Sequence, residues 1–319
     1  MSTFPMRPRG PFSLAAAARF NESFPAGLGG GRHPRLDLAF PAEGDWTTVG
    51  VRVTETGNDL RAEVVANPGE LPLDRIRGQV ERILSLGVDG TGFAAIGDRD
   101  PVVRALQARY PGLRPVQFAS PYEAAAWAII GQRIRMTQAA TVKNRLATEL
   151  GDDVDFGDRR LPSFPAPGRL AGLREFPGLT SRKIEQLQAL GQAAGRGELD
   201  AAALLRLAPE QALAQLRELP GIGPFSAELI LLRGAGHPDG FPATEQRLHR
   251  AMAAVYHLGA DPDPARLEAI AAGWRPFRTW TALLLRNWLE DVTHEIAEGR
   301  RAETLPDRID TGGLYDEPG

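Results

Sequence analysis

Helical segments flank the stretch Leu216-Arg217-Glu218-Leu219-Pro220-Gly221-Ile222-Gly223-Pro224-Phe225-Ser226-Ala227, so it has the form helix, Leu-Pro-Gly-Ile-Gly, helix. These residue types suit the capture of an anion. Gly221 and Gly223 permit a tight turn with no Cβ in the way, Ile222 can plug the space between the helices, and Pro224 fits a first helical turn, where a missing N–H costs nothing. The unpaired N–H groups of the turn and of the following helix start then face outward together. Leu219, Gly221, Ile222, Gly223, Phe225 and Ser226 would form a site for one phosphate of DNA. Taken alone, the same pattern also describes a tight helical hairpin that binds nothing.

A second stretch follows, Phe241-Pro242-Ala243-Thr244-Glu245-Gln246-Arg247-Leu248. Hairpin and second stretch together resemble the helix-hairpin-helix DNA glycosylase superfamily, and within it the 3-methyladenine DNA glycosylase II branch. In that family a Phe-Pro pair precedes a catalytic Asp, with a Leu three residues later, and Pro242, Glu245 and Leu248 stand at those positions. The resemblance continues at Ala128-Ile129-Ile130-Gly131-Gln132, similar to the family's helix that approaches the minor groove. It continues again at Trp274-Arg275-Pro276-Phe277-Arg278-Thr279-Trp280, similar to its late aromatic-Arg motif, and at Phe164-Pro165. It spans about residues 11–290.

The resemblance implies a division of labour. A glycosylase extrudes a damaged nucleotide, holds its base in a pocket and breaks the N-glycosidic bond. Glu245 would be the catalytic carboxylate, stabilising the positive charge that develops on the sugar and orienting or deprotonating the attacking water. Glu is a departure from the family Asp, and its extra methylene moves the carboxylate by about 1 Å, a shift that can cost on the order of 100-fold. The bland alternative for Glu245 is a helix cap. Bifunctional relatives use a Lys just after the hairpin glycines, where this chain has Phe225, and no Lys occurs between residues 184 and 319. A monofunctional enzyme with water as nucleophile is therefore expected. Gln132 and Arg133 take the minor-groove and wedge positions, although Arg133, with Arg135, Lys143 and Arg145 nearby, also suits plain phosphate contact.

For base holding, Trp127, Phe225 and Trp280 are the expected pocket aromatics, with Tyr122 also near the matching motifs. Arg286 stands where the family often has a pocket Trp, and its charge is expected to repel a cationic base and favour a neutral lesion. Relatives can hold a monovalent cation on the hairpin carbonyls, which would fall at Leu219 and Ile222. No other cofactor is expected. The five histidines, His33, His237, His249, His257 and His294, have no metal-site spacing, so no catalytic metal is expected either.

The elements that must position these residues form an α+β chain. Alternation at Leu36/Leu38/Phe40, Val49/Val51/Val53 and Leu60/Ala62/Val64, with turn residues between, predicts a small antiparallel sheet. Helical spacing follows from Leu73 and from Pro101, so residues 13–115 read as an α+β N-terminal domain. Strand signals vanish after Ser120-Pro121. The segments 121–150, 180–196, 200–218, 224–234, 244–258, 264–272 and 278–297 carry helical periodicity, making 116–298 an all-helical glycosylase core with the helix-hairpin-helix at 210–234. Residues 1–12 and 299–319 read as loose ends.

Composition narrows the possibilities further. The chain has 319 residues, 43% of them hydrophobic, and no cysteine, which excludes disulfides, thiol nucleophiles and a Cys-ligated iron–sulfur cluster. A net charge of −3 argues against a surface basic all over, so double-stranded DNA would be gripped by a local basic face or by backbone donors. No apolar run nears membrane length and the N-terminus lacks a signal core, which predicts a cytoplasmic, nucleoid-associated monomer with no membrane partner. Two other function classes stay open. One is a non-catalytic DNA-lesion-binding hairpin protein, because the family Asp is Glu245; the other is a helical scaffold that uses the hairpin for protein contacts.

Overall fold

The computed structural model describes residues 2–23, 35–57, 59–299, 302 and 304–310; His33 and residues 311–319 lie outside them. Strands β1 (Ser2–Met6), β2 (Arg35–Pro41), β3 (Thr48–Thr56) and β4 (Asp59–Ala66) form an antiparallel sheet ordered β1-β4-β3-β2. The alternation seen in the sequence is the buried face: Leu36, Leu38, Phe40, Val49, Val51, Val53, Leu60, Ala62 and Val64 all enter one core. Helices α1 (Leu14–Ser23) and α2 (Leu73–Ile83) contribute Leu14, Ala17, Ile76, Val80 and Ile83 to it.

The N-terminus is not a loose end. Ser2–Met6 pairs with β4, and Phe4 and Met6 are buried. Two inward residues are too short an alternation to stand out, and Pro5 weakens the strand signal although an edge strand tolerates it. At the other end Leu305 and Ile309 pack on a helical core and Arg109 Nη1 donates to the Asp310 carbonyl at 2.6 Å, so part of the expected loose tail is also held.

Helices α3 (Ala94–Arg99) and α4 (Pro101–Arg109) pack across the boundary expected near residue 116. Asp100 caps α4 by accepting from Val102 N and Val103 N at 3.0 and 3.2 Å. Their apolar residues Phe93, Ile96, Val103 and Leu106 share a core with Leu248, Met252, Trp274, Trp280 and Trp288 from the far end of the chain. The chain thus closes on itself, and residues 13–115 are split between two cores.

A second helical core is built by α5 (Pro121–Ile130), α6 (Met136–Leu150), α7 (Pro167–Ala171), α8 (Ser181–Gly195), α9 (Ala201–Arg206), α10 (Pro209–Arg217) and α11 (Pro224–Leu229). The expected helix 121–150 breaks at the Gly131–Arg135 turn, and 200–218 breaks before Pro209, which cannot continue a helix. This half is not wholly helical either. Strands β5 (Asp153–Asp155) and β6 (Arg160–Pro162) form a hairpin against the sheet, so closely that a Cβ on Gly50 would lie 2.3 Å from Val154 Cγ1.

The chain leaves α11 through a π-helical turn, Ile230–Gly234. It ends in α12 (Gln246–Val255), α13 (Pro264–Ala272), α14 (Arg278–Thr293) and α15 (Glu295–Glu298). The expected helix 278–297 is divided at His294, which adopts a left-handed φ of 51°.

Candidate active site

The hairpin between α10 and α11 is built as its residue types require. Gly221 takes φ +86°, a left-handed conformation that favours glycine, and a Cβ there would meet the Gln186 side chain at 2.6 Å. Ile222 is buried in the α5–α11 core, and its N–H donates to the Leu219 carbonyl at 3.1 Å. Gly223 caps α11 with Pro224 in the first turn. Among the described residues, the N–H groups of Gly221, Gly223, Phe225 and Ser226 donate to no backbone carbonyl. Such a row of orphan donors at a helix start attracts an anion. Gln132 Nε2 donates to the Gly221 carbonyl at 2.8 Å, tying the end of α5 to the turn, and the Ile222 carbonyl has no partner among the described residues. Next to Gln132, exposed Arg133 holds a left-handed φ of 56°, a costly conformation for a non-glycine residue.

The segment carrying Glu245 is held from the start of α14. Arg278 Nε donates to Asp239 Oδ1 at 2.8 Å and Arg278 Nη2 to the Asp239 carbonyl at 2.6 Å. Thr279 Oγ1 donates to the His237 carbonyl at 2.8 Å and accepts from Gly240 N at 3.0 Å. Phe241 stacks on His249 and meets Trp274 edge-on. The late aromatic-Arg motif therefore anchors the loop that leads into Glu245. Glu245 then caps α12, its Oε1 accepting from Arg247 N at 3.2 Å.

Helix α11, the π-turn, Glu245, α14 and α1 enclose a pocket of about 150 Å³ whose walls include Phe20, Phe225, Glu228, Arg233, Glu245 and Arg286. Phe225 is 46% exposed at its mouth, a flat apolar face offered to a ring. Glu245 Oε2 accepts from Arg286 Nη1. Burial weakens the hold of Arg286 on its proton, and the facing Glu245 carboxylate opposes that shift. Arg233 Nη2 donates to the Val116 carbonyl at 2.6 Å, and its guanidinium lies over the Phe20 ring. Burial pushes the Glu228 carboxyl up from its ordinary value, while two hydrogen bonds from Thr244 pull it back. Behind this wall Arg247 Nη2 pairs with Glu290 at 2.6 Å and Arg250 Nη1 with Glu295 at 2.7 Å. A fixed carboxylate, an aromatic face and a nearby row of backbone donors can stabilise a cationic centre on a ligand whose phosphate sits at the hairpin.

No family model matches the chain. The chain is 23% identical over 201 residues to a DNA-3-methyladenine glycosylase of Bacillus subtilis, covering 62% of this chain and 66% of that protein. It is 32% identical over 219 residues to the probable bifunctional transcriptional activator/DNA repair enzyme AlkA of Mycobacterium tuberculosis, covering 67% of this chain but 42% of that protein. The matched segment thus spans from about two fifths to just under two thirds of these relatives. Among solved structures, the 3-methyladenine DNA-glycosylase from Archaeoglobus fulgidus superposes with a TM-score of 0.74 at 22% identity, covering 90% of this chain and 98% of that one. The chain has the helix-hairpin-helix DNA glycosylase fold.

Of the residues singled out in the sequence, the glycosylase fold brings Phe225, Glu245 and Arg286 into one pocket and sets Gln132 and Arg133 beside the hairpin. Trp127 and Trp280, expected in the pocket, are not there. Trp127 is buried in the α5–α11 core. Trp280 packs on Phe93 and Phe277, with ring centroids 5.3 and 4.9 Å away, and under Arg114. Packing gives the reason: the Trp280 ring is taken up by Phe93, Phe277 and Arg114 in the core shared with α3 and α4, while Ala282, Leu283, Arg286, Asn287 and Asp291 of α14 line the pocket. The charge of Arg286, expected to confront the bound base, is instead matched by Glu245. Several pocket residues escaped the sequence reading, among them Glu228, Phe20 and Arg233. Glu228 had a signal, one helical turn beyond Phe225; Phe20 and Arg233 come from segments with no motif of their own.

Proposed function

We propose that this chain is a monofunctional DNA glycosylase of base excision repair, hydrolysing the N-glycosidic bond of alkylated or related damaged bases extruded from double-stranded DNA. The observation that carries this reading is the Glu245 carboxylate, held by Arg286 in a pocket that Phe225 also lines. In this reading a flipped base stacks on Phe225, its sugar lies against Glu245, and the positive charge developing on the sugar is stabilised by that carboxylate while water attacks. The hairpin amides hold a backbone phosphate. Arg133, projected by its left-handed backbone, fills the gap left in the stack.

The absence of lyase activity has its own support. The chain has only two lysines. Lys143 pairs with Glu123 at 2.7 Å, and Lys183 Nζ donates to the Ile130 carbonyl at 2.7 Å. Neither lines the pocket, so no lysine amine is placed to form a Schiff base there.

The test is release of free base from duplexes carrying 3-methyladenine, 7-methylguanine, hypoxanthine or ethenoadenine, followed by a strand-scission assay without heat or base. Release that Glu245→Gln abolishes, with the abasic strand left intact, is the expected result. Lesion binding without release would make this a binding module, and scission by the untreated enzyme would overturn the monofunctional assignment.

A further inference from the structure

We infer that Glu228 is a positioning residue that clamps Thr244 and thereby fixes Glu245 relative to the hairpin helix; this inference rests on the glycosylase reading above. Glu228 leaves α11 one turn beyond Phe225. A single oxygen, Oε2, accepts from both Thr244 N at 3.1 Å and Thr244 Oγ1 at 2.6 Å. The two donors lie on the backbone and the side chain of one residue, so together they fix the orientation of the peptide just before Glu245.

The other bonds of this turn do something different. Ala243 N donates to the Phe241 carbonyl at 2.9 Å and Glu245 N to the Pro242 carbonyl at 3.1 Å, which shapes the turn internally. Neither reaches α11. Among the described residues, Glu228 supplies the hydrogen-bonded link between the hairpin helix and residues 241–245. Loop 237–240 is separately held by α14 through Arg278 and Thr279, so residue 244 is where the hairpin side of the pocket gains its own hold on the carboxylate segment.

The site makes this clamp strong. Glu228 is half-buried on the pocket wall, where charge-assisted hydrogen bonds are less screened than in water. One helix then carries both the row of amides suited to a phosphate and the acceptor that locates the carboxylate. The phosphate-to-sugar distance of a bound nucleotide is fixed by its covalent structure, so a rigid connection between the two protein groups sets whether Glu245 meets the sugar. A 1 Å displacement of a catalytic group costs on the order of 100-fold.

Two measurements on the full chain test the clamp, using Glu228→Ala, Glu228→Gln and Thr244→Val. In single-turnover base release with enzyme in excess, Glu228→Ala is expected to slow the maximal rate by about 10- to 100-fold while duplex affinity stays within about twofold. Glu228→Gln keeps an acceptor oxygen and is expected to recover most of the rate, and Thr244→Val in a Glu228→Ala background is expected to add nothing further. A loss shared equally by affinity and rate, or a Gln variant no better than Ala, overturns the proposal. Hydrogen exchange at the Thr244 amide is the second measurement, and it needs no activity. Faster exchange in Glu228→Ala than in Glu228→Gln is expected, and equal protection in both overturns the clamp. Wild-type enzyme that releases no base would instead overturn the glycosylase reading, leaving the exchange result to judge the clamp by itself.

Discussion

The hairpin and the pocket wall face the same ligand in the proposed reading but are made from different materials. The hairpin is backbone: a glycine at φ +86°, a buried Ile222 plug and a row of amides, all within one short run of sequence. The pocket wall is side chains drawn from four separate stretches, with Phe20, Glu245 and Arg286 brought to the helical run of Phe225 and Arg233 only by the closure of the chain. The first is specified by residue type at adjacent positions and tolerates a chain of net charge −3, since amides need no lysines. The second depends on matched charges at low exposure, where each partner sets what the other can do. Damage to the hairpin should therefore weaken binding of every duplex alike, whereas damage to the wall should alter rate and lesion choice.

The sharpest test of that contrast is Glu245→Gln. It should lower the rate of base release by about 100-fold or more with little change in duplex affinity, because a group aimed at developing charge acts mainly in the transition state. Single-turnover release measured beside a binding titration decides this, and equal losses in both would merge the two regions into one. Gly221→Ala is the reciprocal experiment. Its Cβ needs a left-handed backbone and displaces Gln186, at a cost of about 1–2 kcal/mol. Duplex affinity should fall about tenfold, equally for damaged and undamaged DNA, while release from saturated enzyme stays near wild type. A variant that instead changed the ranking of lesions would show the hairpin reading the base.

The contrast also explains how much could be read from the sequence. Alternation located β2, β3 and β4 because each has three inward residues; β1, with only Phe4 and Met6 facing in, gave too little signal. Hairpin residues were legible because glycines, apolar plug and proline stand in one short run between two helical segments, with the second matching stretch close behind. Trp280 was misplaced because an aromatic motif identifies a residue without its neighbours, and Phe93, which holds the Trp280 ring in the core, lies far away in the sequence. The pairing of Arg286 with Glu245 lay beyond reach, since nothing in the spacing of two segments says that their side chains meet. The same limit hid the packing of α3 and α4 against α12, α13 and α14.

Because Glu245 matches the charge of Arg286, the pocket should admit cationic and neutral bases alike. Arg286→Gln keeps a hydrogen-bond donor for Glu245 while removing the positive charge. It should raise release of cationic 7-methylguanine relative to neutral hypoxanthine by about fivefold, since the carboxylate then acts on the base unopposed. Competition between the two lesions in one reaction reads the ratio directly. An unchanged ratio would mean that Arg286 acts on Glu245 alone.

The smallest effect expected is one of pH. Burial pushes the carboxyls of Glu228 and Asp291 up from their ordinary values of 4.5 and 3.8, so in this range the folded state binds protons that the unfolded chain has released. Stability must then fall as pH rises from the ordinary carboxylate value toward each raised one, because the slope follows the protons bound unfolded minus those bound folded. Both groups line the pocket wall. Urea unfolding midpoints followed from about pH 4 to about pH 8 should decline less steeply in Glu228→Gln than in wild type. Gly221→Ala should run parallel to wild type at every pH, displaced downward by its backbone strain. Parallel curves for Glu228→Gln would show that Glu228 contributes nothing to the pH dependence of stability.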